Sequence, residues 1–143
     1  MNILLDACVI LAVLLEEPEK DIVLETTKNS ILVVPNIIDF EIVNALSKLH
    51  KRKVLTEEEV YEIYSSYKQI PLHIRVEEDL LVIKDTSLAE DVIIKSKKGL
   101  NYKLSPIHDY IAGKSPFEGI KGIKAKVTTL ELVEIVREGR SGI

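Results

Sequence analysis

Apolar residues run almost without a break from Ile3 to Leu15, crossed by one carboxylate at Asp6. Asn2 to Leu5 has the length and continuity of a short buried strand, and Val9 to Glu16 takes on helical character up to Pro18. Pro18 opens a second helix to about Lys28, because proline is tolerated at a first helical position. The β-branched "ILVV" (31–34), closed by Pro35, predicts a second buried strand. Ile38, Ile42, Ala45, Leu46 and Leu49 recur at helical spacing, predicting a helix over 37–51 with a basic end, "HKRK" (50–53). Thr56 and Glu59 form a capping box for a helix to about Gln69, stopped by Pro71, and "LHIRV" (72–76) alternates like a strand.

Beyond that, Glu77 to Lys98 predicts one helix or two, with Thr86 and Glu90 as a restart and Gly99 as a stop. Ser105-Pro106 predicts another helix, ended early by Gly113 and Pro116. "KAKVTT" (124–129) predicts a last strand and "LELVEIVRE" (130–138) a last helix. Buried strands separated by helices imply a parallel sheet. No internal repeat or long linker divides the chain, so 1–143 is expected to be a single domain.

Composition narrows the possibilities. A chain of 143 residues, 46% hydrophobic and 29% charged, suits one domain with a full core. At a net charge of −4, a nucleic-acid partner would have to be held by local patches. A single cysteine, Cys8, excludes an internal disulfide, and the scattered His50, His73 and His108 lack zinc-ligand spacing. A reducing cytoplasm is the expected location. The opening run has no basic n-region and no small-residue cleavage site, so no export signal is read. Nor does any stretch reach the roughly 18 to 20 continuous apolar residues of a membrane span.

Four acids carry the candidate chemistry. Asp6 interrupts the apolar run, where a carboxylate is costly unless paired, protonated or bound to a cation. Glu41 lies on the edge of its helix's apolar stripe, Asp109 falls in the first turn of the Ser105-Pro106 helix, and Glu131 follows the last expected strand. Taken singly, each has an ordinary role as a helix cap or solvated flank. Taken together they gain meaning, because open α/β sheets bind ligands outside the carboxyl ends of their strands. Like charges about 4 Å apart repel by roughly 4 kcal/mol at an effective dielectric near 20. Converging acids would need protons or a cation, and oxygen ligands favour Mg²⁺ or Mn²⁺.

"LLDACVILAVLLEEP", "VVPNIIDFEIVNALSK", "LSPIHDYIAG" and "VTTLEL" resemble, in order and approximate spacing, the four blocks of the PIN-domain family, particularly VapC-like toxin ribonucleases. The resemblance spans nearly the whole chain. It implies a three-layer α/β/α sandwich around a mostly parallel sheet, with Asp6, Glu41, Asp109 and a fourth acid, Glu131 or Glu134, holding one or two Mg²⁺ or Mn²⁺ ions. It further implies metal-dependent cleavage of RNA, Asp6, Glu41 and Asp109 as catalytic residues, a homodimer, and silencing by a small antitoxin protein. Cys8 stands where the family usually has Ser or Thr, His108 and Tyr110 where it has Tyr and Ala, and "TLE" where it has T-x-D. These departures keep a second expectation open, a PIN-like domain that binds RNA or protein without cutting it.

Other motifs weigh less. "AGKS" (112–115) lacks the first glycine of a P-loop and a strand leading into it. "HKRK" with Lys95, Lys97 and Lys98 suits either an RNA backbone or solvated helix ends. Tyr61, Tyr64 and Tyr67 fall at helical spacing and are expected to serve core or dimer packing. A receiver-like phospho-acceptor would want an acid adjacent to Asp6, which is missing.

Overall fold

The computed structural model describes residues 2–75, 92–95, 101–104 and 113–141. The first half alternates strand and helix: β1 (Asn2–Leu4), α1 (Ala7–Leu14), α2 (Lys20–Thr26), β2 (Ile31–Pro35), α3 (Ile38–Lys51), α4 (Glu57–Lys68) and β3 (Leu72–Arg75). Helical pairs return the chain to the starting edge between strands, so β1, β2 and β3 lie parallel in that order. Leu4 is opposite Val33, and Val34 is opposite Ile74. Leu32 and Val34, on one face of β2, are fully buried in the core. The expected parallel sheet is present in these three strands, and the architecture is mixed α/β.

α1 is the central element. Ile10, Leu11, Val13 and Leu14 are all fully buried, as an apolar helix surrounded by partners requires, and it packs against α2, α3, α4 and α5 (Thr129–Ser141). It stops in a Schellman turn: the Glu17 N–H donates to the Ala12 carbonyl at 2.9 Å and the Glu16 N–H to that of Val13 at 3.3 Å. Glu16 takes the left-handed conformation (φ 51°) that glycine usually fills there. α3 ends in the same way, with Lys53 left-handed (φ 61°) and the Val54 N–H on the Leu49 carbonyl at 2.9 Å. The expected capping box opens α4, with the Glu59 N–H donating to Thr56 Oγ1 at 3.2 Å and the Thr56 N–H to Glu59 Oε1 at 3.0 Å.

The second half departs from expectation. Residues 92–95, expected to be helical, form β4 (Val92–Lys95), paired antiparallel with β5 (Asn101–Leu104). The β-branched run Val92-Ile93-Ile94 followed by a glycine is a hairpin signal, and it outweighs the helical spacing read across 77–98. "KAKVTT" (124–129) is not a strand. Thr128 and Glu131 form a capping box that starts α5 at Thr129: the Glu131 N–H donates to Thr128 Oγ1 at 3.2 Å and the Thr128 N–H to Glu131 Oε2 at 3.0 Å. Spending those residues on a cap leaves no strand there. The helix expected from Ser105-Pro106 lies outside the described residues.

α5 crosses α3 at Gly139, where a Cβ would run into the Asn44 side-chain amide. Its neighbours reach opposite ways along α3. Glu138 meets Lys48 at 3.2 Å and Arg52 at 3.5 Å near the basic end, and Arg140 turns toward Glu41 at the acidic start. Helix α5 is thereby aligned by charge at both ends of the crossing. Among the described residues no helix is long and apolar enough to cross a membrane.

Candidate functional site

Asp6 follows β1 and stands at the N-cap of α1 with extended backbone (φ −92°, ψ 158°). Its carbonyl accepts the Val9 N–H at 3.1 Å, but its carboxylate makes no capping bond. Glu41 sits in the first turn of α3, which begins just after β2 ends at Pro35. Since β1 and β2 are parallel neighbours, both acids emerge at the carboxyl edge of the sheet beside helix N-termini, where the backbone dipoles favour negative charge.

They meet at Arg140. Arg140 Nε donates to Glu41 Oε2 at 2.7 Å, and its Nη2 donates to Asp6 Oδ1. The Glu41 side chain is only 2% exposed, whereas those of Arg140 and Asp6 are 46% and 43% exposed. Glu41 Oε1 is buried and has no hydrogen-bond partner among the described residues. Two carboxylates therefore share one guanidinium and retain a net negative charge.

The Cys8 thiol lies beside the Asp6 carboxylate. Burial and the Asp6 carboxylate push that thiol up to about 12, so at neutral pH it is an uncharged donor and not a reactive thiolate. Burial pushes the Asp6 carboxyl upward, but hydrogen bonds from Cys8 and Arg140 and the guanidinium charge outweigh it and hold Asp6 below its ordinary value. Asp6 stays ionised at neutral pH.

Glu131 is not brought to this pair. It is engaged in its capping box, and its charge acts on Glu17, past the far end of α1. Along α5 it lies nine residues before Arg140, about 13 Å of helix at 1.5 Å per residue. Glu134 is exposed on the same helix. Asp109, with His108 and Tyr110, lies outside the described residues, as do Lys97 and Lys98. The "HKRK" residues act partly within the fold: Arg52 pairs with Glu138, and His50 Nδ1 lies 3.0 Å from the Leu55 carbonyl oxygen. Of the three tyrosines, Tyr67 is buried with its hydroxyl donating to Asp39, Tyr64 is half-buried and Tyr61 is exposed.

Arg140 is the residue that sequence reasoning missed. Its only signal was a basic side chain just past a helix expected to stop at 138. A helix running on to Ser141 is what carries it to the acids.

A hard divalent ion keeps several waters and needs only one or two protein carboxylates. Asp6 and Glu41, the latter with an orphaned buried oxygen, fit such an ion. Among the described residues no group of three or more His, Cys, Asp or Glu gathers to hold one. No protein-family model, no characterised protein and no solved structure shows significant similarity to the chain.

Proposed function

We propose that this chain is a divalent-metal-dependent endoribonuclease of the PIN-domain, VapC-like kind. The observation that carries the reading is the meeting of a buried Glu41 and Asp6 around one positive charge at the carboxyl edge of a parallel sheet. In this reading Asp6 and Glu41, joined by Asp109, hold Mg²⁺ or Mn²⁺, and the three-stranded sheet is the centre of a three-layer sandwich spanning one domain. Glu131, committed to its cap, is the weakest member of the acidic set.

The residues would divide the work as follows. Asp6, kept ionised by Cys8 and Arg140, supplies a fixed negative charge. Glu41 offers an oxygen that no group among the described residues hydrogen-bonds. Held there, Mg²⁺ or Mn²⁺ would supply a water of lowered pKa and positive charge against the phosphate. With such an ion bound, Glu41 or Asp109 would orient or deprotonate the attacking water for in-line displacement, leaving a 5′-phosphate and a 3′-hydroxyl. The resemblance adds an RNA substrate, a second copy of the chain, a small antitoxin protein and a cytoplasmic setting.

The test is cleavage of a mixed RNA pool with Mg²⁺ or Mn²⁺. Activity that is removed by chelator and falls at least about a hundredfold in Asp6→Asn supports the reading. One observation favours a second reading, a PIN-like domain that binds RNA or protein without cutting: a guanidinium already stands where an ion would sit. RNA binding without cleavage at any metal concentration would establish that second reading.

A further inference from the structure

Resting on the metal-site reading above, we propose that Arg140 is a built-in counter-ion that competes with the divalent ion for Asp6 and Glu41. Metal enters when the guanidinium leaves.

Three observations converge on this. The guanidinium engages both carboxylates at once, through Nε on Glu41 and Nη2 on Asp6, so ion and side chain contend for the same oxygens. Two carboxylates face a single guanidinium. A divalent ion in place of the guanidinium would neutralise the pair fully. Finally, the Arg140 side chain is 46% exposed and sits in the last turn of α5, so it can rotate into solvent while the helix stays anchored by Gly139 against Asn44 and by Glu138 on Lys48 and Arg52.

Glu41 favours exchange over simple loss of the guanidinium. Its side chain is 2% exposed, and an ionised carboxylate left there alone is costly, so the charged form calls for either the guanidinium or an ion beside it. Without metal, Arg140 holds the apo fold together at this edge. With metal, the arginine is released beside the site, where a phosphodiester would arrive.

Mn²⁺ alone is the probe, its free concentration read by electron paramagnetic resonance, with thermal unfolding followed on the same samples. Arg140→Gln should bind Mn²⁺ at least about tenfold more tightly than the parent, a difference of about 1.4 kcal/mol. It should also melt lower without metal and recover with Mn²⁺, while at the same Mn²⁺ concentration the melting temperature of the parent rises less. Arg140→Lys keeps one positive charge but cannot bridge two carboxylates; it should fall between, and it serves if the glutamine variant does not fold. Equal Mn²⁺ affinity in parent and variants, or no binding by folded variants, overturns the proposal. RNA cleavage on the same preparations separates it from the nuclease reading. Equal affinities with Asp6-dependent cleavage sink the exchange alone, and tighter binding in Arg140→Gln with no cleavage sinks the nuclease alone.

Discussion

The two ends of α1 each hold a glutamate almost sealed from water with one oxygen lacking a partner among the described residues, and they resolve the problem differently. At the N-terminal end, Glu41 and Asp6 are bridged by Arg140, and Asp6 is held below its ordinary pKa. Beyond the C-terminal end, Glu17 is 5% exposed, its Oε1 has no partner among the described residues, and burial pushes its carboxyl upward. Lys124 pulls it down, but the charges of Glu19 and Glu131 push the other way, and Lys124 Nζ donates to the Glu16 carbonyl at 3.2 Å. A cation that bonds two acids directly stabilises their charged forms, whereas one held nearby on another acceptor does not overcome desolvation. The first arrangement is built around charge; the second tolerates it.

Removing the bridge should have the largest effect. Arg140→Ala leaves Glu41 buried and unanswered, and the loss, partly relieved by exposure and protonation, is expected at about 2 to 3 kcal/mol at pH 7 in urea unfolding. Asp6 has a lowered folded pKa, so its stabilisation is present above the unfolded value of about 3.9 and is lost as pH falls through the folded value. The gap between parent and variant should therefore shrink in acid. A gap that persists undiminished at low pH would mean that packing, not charge, was removed.

At the opposite end the backbone is the sensitive part. Gly122 lies so close to α1 that a Cβ would sit 2.7 Å from the Leu14 carbonyl oxygen and 2.9 Å from that of Val13, while the Ile123 N–H donates to the Leu14 carbonyl at 2.8 Å. Gly122→Ala is expected to cost about 2 kcal/mol, since backbone must move and a buried hydrogen bond is put at risk. An unchanged unfolding midpoint would show that the segment docks more loosely.

Glu17→Gln should go the other way. A raised folded pKa means that the glutamate's contribution is fully present below the unfolded value of about 4.3 and is lost as pH rises through the folded one. Glutamine is spared that loss, so it should be more stable than the parent at pH 7, with the advantage gone below about pH 4. Destabilisation at pH 7 would reveal that the Glu17 charge is matched after all. Smallest of all, Glu131→Gln keeps a side chain able to accept the Thr128 N–H, and should move stability by less than about 0.5 kcal/mol and leave Mn²⁺ affinity unchanged. A tenfold loss of affinity would restore Glu131 to the metal set.

How much of this was legible in the chain varied by region. Between Asn2 and Arg75 the strands and helices announced themselves because their signals are local: a β-branched run closed by Pro35, a capping box at Thr56, an apolar stripe along α3. The hairpin over Val92–Lys95 and Asn101–Leu104 was misread because an apolar stretch with occasional charges satisfies helical and strand spacing alike. At 128–131 a cap and a strand end compete for the same threonines, and the reciprocal bonds with Glu131 decided for the cap.

The sequence by itself determined that Asp6 and Glu41 are acids in apolar company, just past two strands that would run parallel, since side-chain type and periodicity are properties of the chain. Only the tertiary structure decided which cation answers them. Arg140 stands 134 positions from Asp6 and 99 from Glu41, and nothing along the chain links them. The crossing of α5 over α3 at Gly139 brings them together, and a helix crossing depends on packing between distant surfaces, which no local pattern encodes.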